Sequence, residues 1–396
     1  MTSSLPFLPY GRQAIDETDV AAVVEALRSD LLTTGPRVEA FERALAERLG
    51  VRHVIAVSNG TAALHAAYHA VGVGSGDTVV VPAITFLATA NAARFLDAEA
   101  RFADVGADDG LLAADLLERA LADGGPVRAV APVHLTGRPV DLDGVAAVAR
   151  AHGAAVIEDA CHALGATYRG APIGACSRSD AAVLSFHPVK HVTTGEGGAI
   201  ATNDDTIARR ARRFRSHGMV HDAASLESPS PGPWYYEQQE LGYNYRITDL
   251  QCALGSSQLR RLDDFLARRR ALAARYDTLL AEVPHVRPIA RGPEGAESAW
   301  HLYAVLIDFA AVGRTRGEVM LALRERGIGS QVHYIPVPAQ PYYRRRGADP
   351  ARFPGALRYY ERTLSLPLFP ALRDDDPDRV VAALAAVLAE GADHSR

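Results

Sequence analysis

Residues 53–82 read HVIAVSNGTAALHAAYHAVGVGSGDTVVVP, and the two ends of that stretch resemble each other while the middle differs. The flanks, "HVIAVS" and "DTVVVP", are short Val- and Ile-rich runs, the composition of strands buried on both faces. Between them "TAALHAAYHAVG" is Ala-rich and long enough for about three helical turns. Strand, helix and strand without a hairpin turn make a parallel βαβ unit. The alternation continues in both directions. "RVEAFERALAERLG" (37–50) precedes it as an amphipathic helix. "ARFADV" (100–105), "RAVAPVHL" (128–135), "AAVIED" (154–159) and "DAAVLSF" (180–186) follow as strands, most of them separated by helical segments. This pattern predicts an α/β fold with a mostly parallel sheet covered on both faces.

The alternation stops at the Pro-, Ser- and Gly-rich "SLESPSPGP" (225–233), and one helical stretch from Ile247 to Leu280 leads away from it. Beyond it, "AWHLYAVLIDF" (299–309) and "SQVHYIP" (330–336) read as strands. "RGEVMLALRERG" (316–327) and the region of "DPDRVVAALAAVLAE" (376–390) read as helices. The expectation is a large domain over residues 1–270, N-terminal segment included, and a smaller α+β domain over residues 271–396.

The chain has 396 residues, 48% hydrophobic and 22% charged, in the range of soluble globular proteins. Its formal charge of −5 argues against a general nucleic-acid binder. No apolar run approaches the ~20 residues of a membrane span. The opening "MTSSLPFLPYGRQ" has no basic stretch followed by an apolar core, so no secretory signal is expected. Cys161, Cys176 and Cys252 are widely spaced and lack metal-ligand spacing. A reduced, cytoplasmic protein without metal, nucleic acid or membrane is expected.

Three strand ends carry unusual polar groups, and open α/β sheets bind ligands outside the carboxyl ends of their strands. In "VSNGTAAL" (57–64), Ser58, Asn59, Gly60 and Thr61 join a strand to a helix. A helix N-terminus presents free N–H groups, glycine allows close backbone approach and Thr61 adds a hydroxyl, which suits a phosphate. A plain N-cap with a turn glycine reads the same residues structurally. "VIEDACHALG" (156–165) ends its strand on Asp159, where a carboxylate is expensive without a partner. Asp159 either caps a following helix or holds the protonated ring nitrogen of a heterocycle, with His162 close enough to approach the same ligand.

The third strand end is "SFHPVK" (185–190), where Ser185 is followed by Lys190. Of the 42 Lys and Arg residues, Lys190 is the one lysine. Guanidinium stays protonated, whereas a desolvated amine loses its proton and attacks carbonyls. GC-rich coding also leaves solitary lysines, but this one stands between an apolar strand and the glycine cluster "TGEGG" (194–198). A phosphate cradle, a buried carboxylate and an amine together define pyridoxal 5′-phosphate (PLP) chemistry. Elsewhere, "RRARRFR" (209–215) reads as a solvated helix face, and "GVGSGD" (72–77) follows a helix rather than opening one.

Five motifs carry a family resemblance: "SNGTAALHAA" (58–67), "TFLATANAA" (85–93), "EDACHALGA" (158–166), "SFHPVKHVTTGEGGAIAT" (185–202) and "GYNYRITDLQCALGSSQL" (242–259). They resemble the PLP-dependent sugar aminotransferases of the DegT/DnrJ/EryC1/StrS family, and the likeness runs from Tyr10 to Phe369. It implies the aspartate-aminotransferase (type I) fold and a homodimer with shared active sites. By motif, Lys190 stands for the lysine that holds the cofactor and Asp159 for the partner of its pyridine nitrogen. Phe86 stands for the aromatic stacked on the ring, and Gly60, Thr61 and Ser185 for the phosphate ligands. His162 takes the place of a glutamine near the ring hydroxyl, and Asn244 that of the asparagine given to the neighbouring subunit's phosphate.

"PYGRQAIDETDVAAVVEALRSDLLTTGP" (9–36) and "PWYYEQQELGYNYRITDLQ" (233–251) resemble in particular the pseudaminic-acid type. That type aminates C4 of UDP-4-keto-6-deoxy-N-acetylhexosamines. The implied substrates are a nucleotide keto-sugar and an amino-acid donor, L-glutamate, with His187, His333 and Tyr334 as candidates near the sugar. After "VHYIP" that type has Val or Leu and then His, whereas here Val337 is followed by Pro338. A dTDP-keto-sugar, a 3-keto sugar or a keto-cyclitol is the alternative acceptor, and a regulatory or binding protein on the same fold the non-enzymatic alternative. Sugar dehydratases of this kind replace the lysine with histidine, so Lys190 speaks against that chemistry.

Overall fold

In the computed structural model, which describes residues 6–122 and 124–392, the strand–helix alternation builds one seven-stranded sheet. The first five residues of the opening segment lie outside that range. The strands are β1 (His53–Val57), β2 (Thr78–Pro82), β3 (Glu99–Ala103), β4 (Ala129–Val130), β5 (Ala155–Asp159), β6 (Ala181–Ser185) and β7 (Gly198–Thr202). Their spatial order is β1-β7-β6-β5-β4-β2-β3. All of β7 is buried, and so is all but the first residue of β1, β2 and β5, so both faces of the sheet are covered.

Neighbours pair in parallel except at β7, which runs antiparallel to both β1 and β6. The connection fits this: β6 returns to its neighbour β7 through a loop without the crossover helix that usually joins parallel neighbours. Lys190 sits in that loop. "RAVAPVHL" keeps only two ladder residues, because Pro132 has no N–H to extend the pairing.

Helices α1 (Glu17–Leu27), α2 (Pro36–Leu49), α3 (Gly60–Ala70), α4 (Leu87–Arg94), α5 (Ala114–Ala122), α6 (Leu142–Ala151) and α7 (Asp205–Arg215) belong to this layered body. Helix α3 is buried almost all round, from Ala62 to Tyr68 without interruption, which its alanines permit. Arg215 departs from the expected solvated face of α7: it is partly buried, bonding Glu42 Oε1 at 2.6 Å and the Ala56 carbonyl at 2.8 Å.

The stretch expected as one helix is two, α8 (Asp249–Arg260) and α9 (Leu262–Leu280), separated at Arg261. Leu262 and Leu266 of α9 pack into the core of the large sheet, while Leu272, Tyr276 and Leu280 enter a second apolar cluster. That cluster covers a three-stranded antiparallel sheet of Val286–Pro288, Tyr303–Ile307 and Thr363–Leu366, with Tyr303–Ile307 central. Leu8 joins it and bridges to Ile328. Among the described residues, no helix is long and apolar enough to cross a membrane.

"SQVHYIP" is not a strand. Gln331 makes a single bridge to Ser365, and the chain then leaves the sheet to line a cavity. The short apolar run signalled burial there, not pairing.

Candidate active site

The first turn of α3 is built by tight backbone contacts. Asn59 is extended at φ −170°, and its side chain accepts the Ala62 N–H at 2.8 Å, capping the helix. The amides ahead of Ala62 have no intrahelical partner. A Cβ on Gly60 would stand 3.0 Å from Ser185 Cβ and 3.4 Å from Cys161 Sγ. One on Gly198 would stand 2.6 Å from the Asn59 carbonyl. Glycine at both positions lets the ends of β1, β6 and β7 meet, which brings Thr61 and Ser185 to one end of a cavity of about 890 Å³.

Asp159, 5% exposed, ends β5 and lines the same cavity. No helix follows it, so it is not a helix cap. Oδ2 accepts from Thr89 Oγ1 at 2.7 Å, and Oδ1 accepts from the Cys161 N–H at 3.2 Å. Lys190 faces Asp159 within the cavity, held by a turn in which its N–H donates to the His187 carbonyl at 2.9 Å. Among the described residues, none hydrogen-bonds or ion-pairs with Lys190 Nζ. Burial lowers the Lys190 pKa from its ordinary value, against the opposing pull of Cys161 and Asp159, and so favours the free amine.

Phe86, at the start of α4, lines the cavity with 56% of its surface exposed, its ring 6.0 Å from that of Tyr334. His162 Nδ1 accepts from the Thr136 N–H at 3.3 Å, so Nε2 carries the proton toward Tyr334 Oη, also at 3.3 Å. Burial, reinforced by Lys190, holds His162 well below the usual histidine range and hence neutral. His333 bonds Ser365 Oγ at 2.8 Å, packs 5.4 Å from the Tyr10 ring and is pushed down to about 3 by burial. His187 is exposed at the same cavity.

Asn244 is the exception among the sequence candidates. It is exposed, bridges to Ser216 and lies outside the lining, although its neighbour Tyr245 is part of it. Sequence reasoning also missed residues that the cavity gathers: Tyr10, Thr85, Glu196, Gln331 and Gln340. Thr89, behind Asp159, was missed too. Its one local signal is a hydroxyl in the first turn of the helix that Phe86 begins.

A family model described as the DegT/DnrJ/EryC1/StrS aminotransferase family matches residues 13–385. Over 390 residues the chain is 42% identical to the spore coat polysaccharide biosynthesis protein SpsC of Bacillus subtilis (strain 168), covering 98% of each. In structure it is similar to Helicobacter pylori PseC, an aminotransferase involved in the biosynthesis of pseudoaminic acid. The TM-score is 0.89 and the identity 29%, over 97% of this chain and 100% of that one. It is also similar to the PMP form of Spr1654 from Streptococcus pneumoniae, with a TM-score of 0.88 and 30% identity over 97% of this chain and 100% of the other.

Proposed function

The chain belongs to the DegT/DnrJ/EryC1/StrS aminotransferase family, and from that premise we propose a PLP enzyme that moves an amino group from L-glutamate to a nucleotide-linked 4-keto-6-deoxy sugar. The acceptor carbon is C4, and the acceptor is a UDP-4-keto-6-deoxy-N-acetylhexosamine. One observation carries the reading: the chain's single lysine, without a hydrogen-bond or ion-pair partner among the described residues, lines a cavity that also holds a buried carboxylate and an open helix N-terminus. That donor set fits the cofactor at each of its polar points. The sugar reading is supported by the names of two relatives, one from polysaccharide and one from pseudoaminic acid biosynthesis.

When bound, PLP supplies an aldehyde that captures amines and a protonated pyridine ring that accepts electrons. Lys190 Nζ would hold it covalently and is the group placed to move a proton at the reacting carbon. The Asp159 carboxylate would pair with the protonated ring nitrogen. The first turn of α3 with Thr61 and Ser185 would hold the phosphate through amides and hydroxyls, Gly60 allowing Ser185 to pack close against that turn. Phe86 would pack on the ring, and neutral His162, whose Nε2 faces Tyr334 Oη, would lie near the ring hydroxyl. His187, His333 and Tyr334 meet the sugar.

The test of the acceptor is a panel. The aminated enzyme, mixed in turn with UDP- and dTDP-linked 4-keto-6-deoxy sugars, is expected to regain its visible absorbance fastest with the UDP-N-acetyl sugars. Silence toward all of them with rapid reaction toward a 3-keto sugar or a keto-cyclitol would overturn the substrate while leaving the amino transfer standing.

The same reading includes a homodimer in which Asn244 reaches the phosphate in the partner's site, supported by its exposure away from its own cavity. Mixing Lys190→Ala chains with Asn244→Ala chains gives heterodimers with one doubly defective site and one intact site. With random exchange about a quarter of the wild-type activity should return. No recovery despite demonstrated subunit exchange would count against a shared site.

A further inference from the structure

Thr89 lies fully buried on α4, outside the cavity lining, with its hydroxyl 2.7 Å from Asp159 Oδ2. An ionised carboxylate can only accept, so the Thr89 proton points at Asp159. The Thr89 oxygen then takes its own hydrogen bond from Thr85 Oγ1, also at 2.7 Å and also buried. Tyr68 Oη donates to the Thr89 carbonyl at 2.9 Å and fixes this turn of the helix from behind. On the other side of the carboxylate, Oδ1 has the Cys161 N–H. Among the described residues, Asp159 forms no ion pair, so neutral donors alone satisfy its charge within the chain.

That arrangement has a consequence for the proton that Asp159 is proposed to share with a ring nitrogen. Hydrogen bonds given to a carboxylate stabilise its charged form and so lower its affinity for a proton. A carboxylate held by both Thr89 Oγ1 and the Cys161 N–H would keep one orientation toward a ring nitrogen, and one that had lost the Thr89 bond would be free to turn away from it.

We propose that Thr89 is a positioning residue for the amino-transfer reaction, its hydroxyl, oriented by Thr85, holding the Asp159 carboxylate in place and turned toward the cofactor ring. This rests on the PLP reading of the cavity. Neither threonine touches the reacting atoms in this role. Thr89 acts through Asp159, and Thr85 acts through Thr89.

The test compares wild type, Thr89→Val, Thr89→Ala, Thr89→Ser and Asp159→Asn, each loaded with PLP labelled with ¹⁵N in the ring. In wild type the nitrogen resonance should report a protonated ring. Val and Ala both remove the donor, one preserving shape and one not, so the experiment survives if either variant fails to accumulate. Both should shift the resonance toward that of Asp159→Asn and slow single-turnover amino transfer by roughly 10- to 100-fold, the range expected for one hydrogen bond to a charged group. Thr89→Ser should restore both readouts. A wild-type resonance in the Val and Ala variants would overturn the proposal, and so would a loss of rate that Ser does not repair. If wild type itself takes up no cofactor, the PLP reading has failed, and the proposal fails with it.

Discussion

Lys190→Ala is expected to abolish amino transfer, by at least about a thousandfold, while leaving the fold intact. The side chain sits in the loop between β6 and β7, and none of the described residues hydrogen-bonds or ion-pairs with its amine, so its removal breaks no hydrogen bond or ion pair. Burial already disfavours its charged form, and deleting it relieves that penalty. What disappears is the one nucleophilic amine in a chain whose other basic residues of this kind are all arginines. Lys190→Arg should be equally inactive, because a guanidinium stays protonated and cannot take covalent hold of an aldehyde. The wild-type protein should show a visible absorbance band that both variants lack. Borohydride reduction followed by mass mapping should find the pyridoxyl group on Lys190. Near-normal turnover in either variant would remove the lysine from the mechanism.

Asp159→Asn should bind the cofactor yet transfer amino groups roughly 10²- to 10⁴-fold more slowly. The estimate follows from the ~3–5 kcal/mol typical of removing one partner from a buried charge pair. Asparagine occupies the same volume and keeps an acceptor for Thr89 Oγ1, but its NH2 group then meets the Cys161 N–H, so the loss reads mainly, not wholly, on the charge. Asp159→Ala would leave both the Thr89 hydroxyl and the Cys161 N–H without their acceptor, so its thermal stability should fall further than that of the Asn variant. Stopped-flow rates with matched cofactor occupancy check the first effect and thermal denaturation the second. Unchanged rates in Asp159→Asn would reduce the carboxylate to a packing role.

Much of this was legible locally. The Val- and Ile-rich runs at 53–58 and 77–82 with an alanine-rich helix between them identify a parallel layered fold, because burial on both faces leaves a continuous apolar signature. Gly60, Asp159 and Lys190 stood out because each breaks its own apolar strand end with a group that burial penalises or that backbone approach requires. Such signals depend only on neighbours within a few residues.

What only the tertiary structure decided depends on residues far apart in the chain. β7 is not among the runs read as strands, and its antiparallel direction goes with the helix-free loop before it. "SQVHYIP" has the composition of a strand and becomes cavity wall, since periodicity records burial and not the partner that causes it. Asn244 and Tyr245 are adjacent, yet one side chain lines the cavity and the other does not. Thr89 and Asp159 are 70 residues apart and meet at 2.7 Å because α4 starts where β5 ends in space. A threonine in a helix's first turn looks the same in sequence whether it faces water or a carboxylate, and only packing determines which.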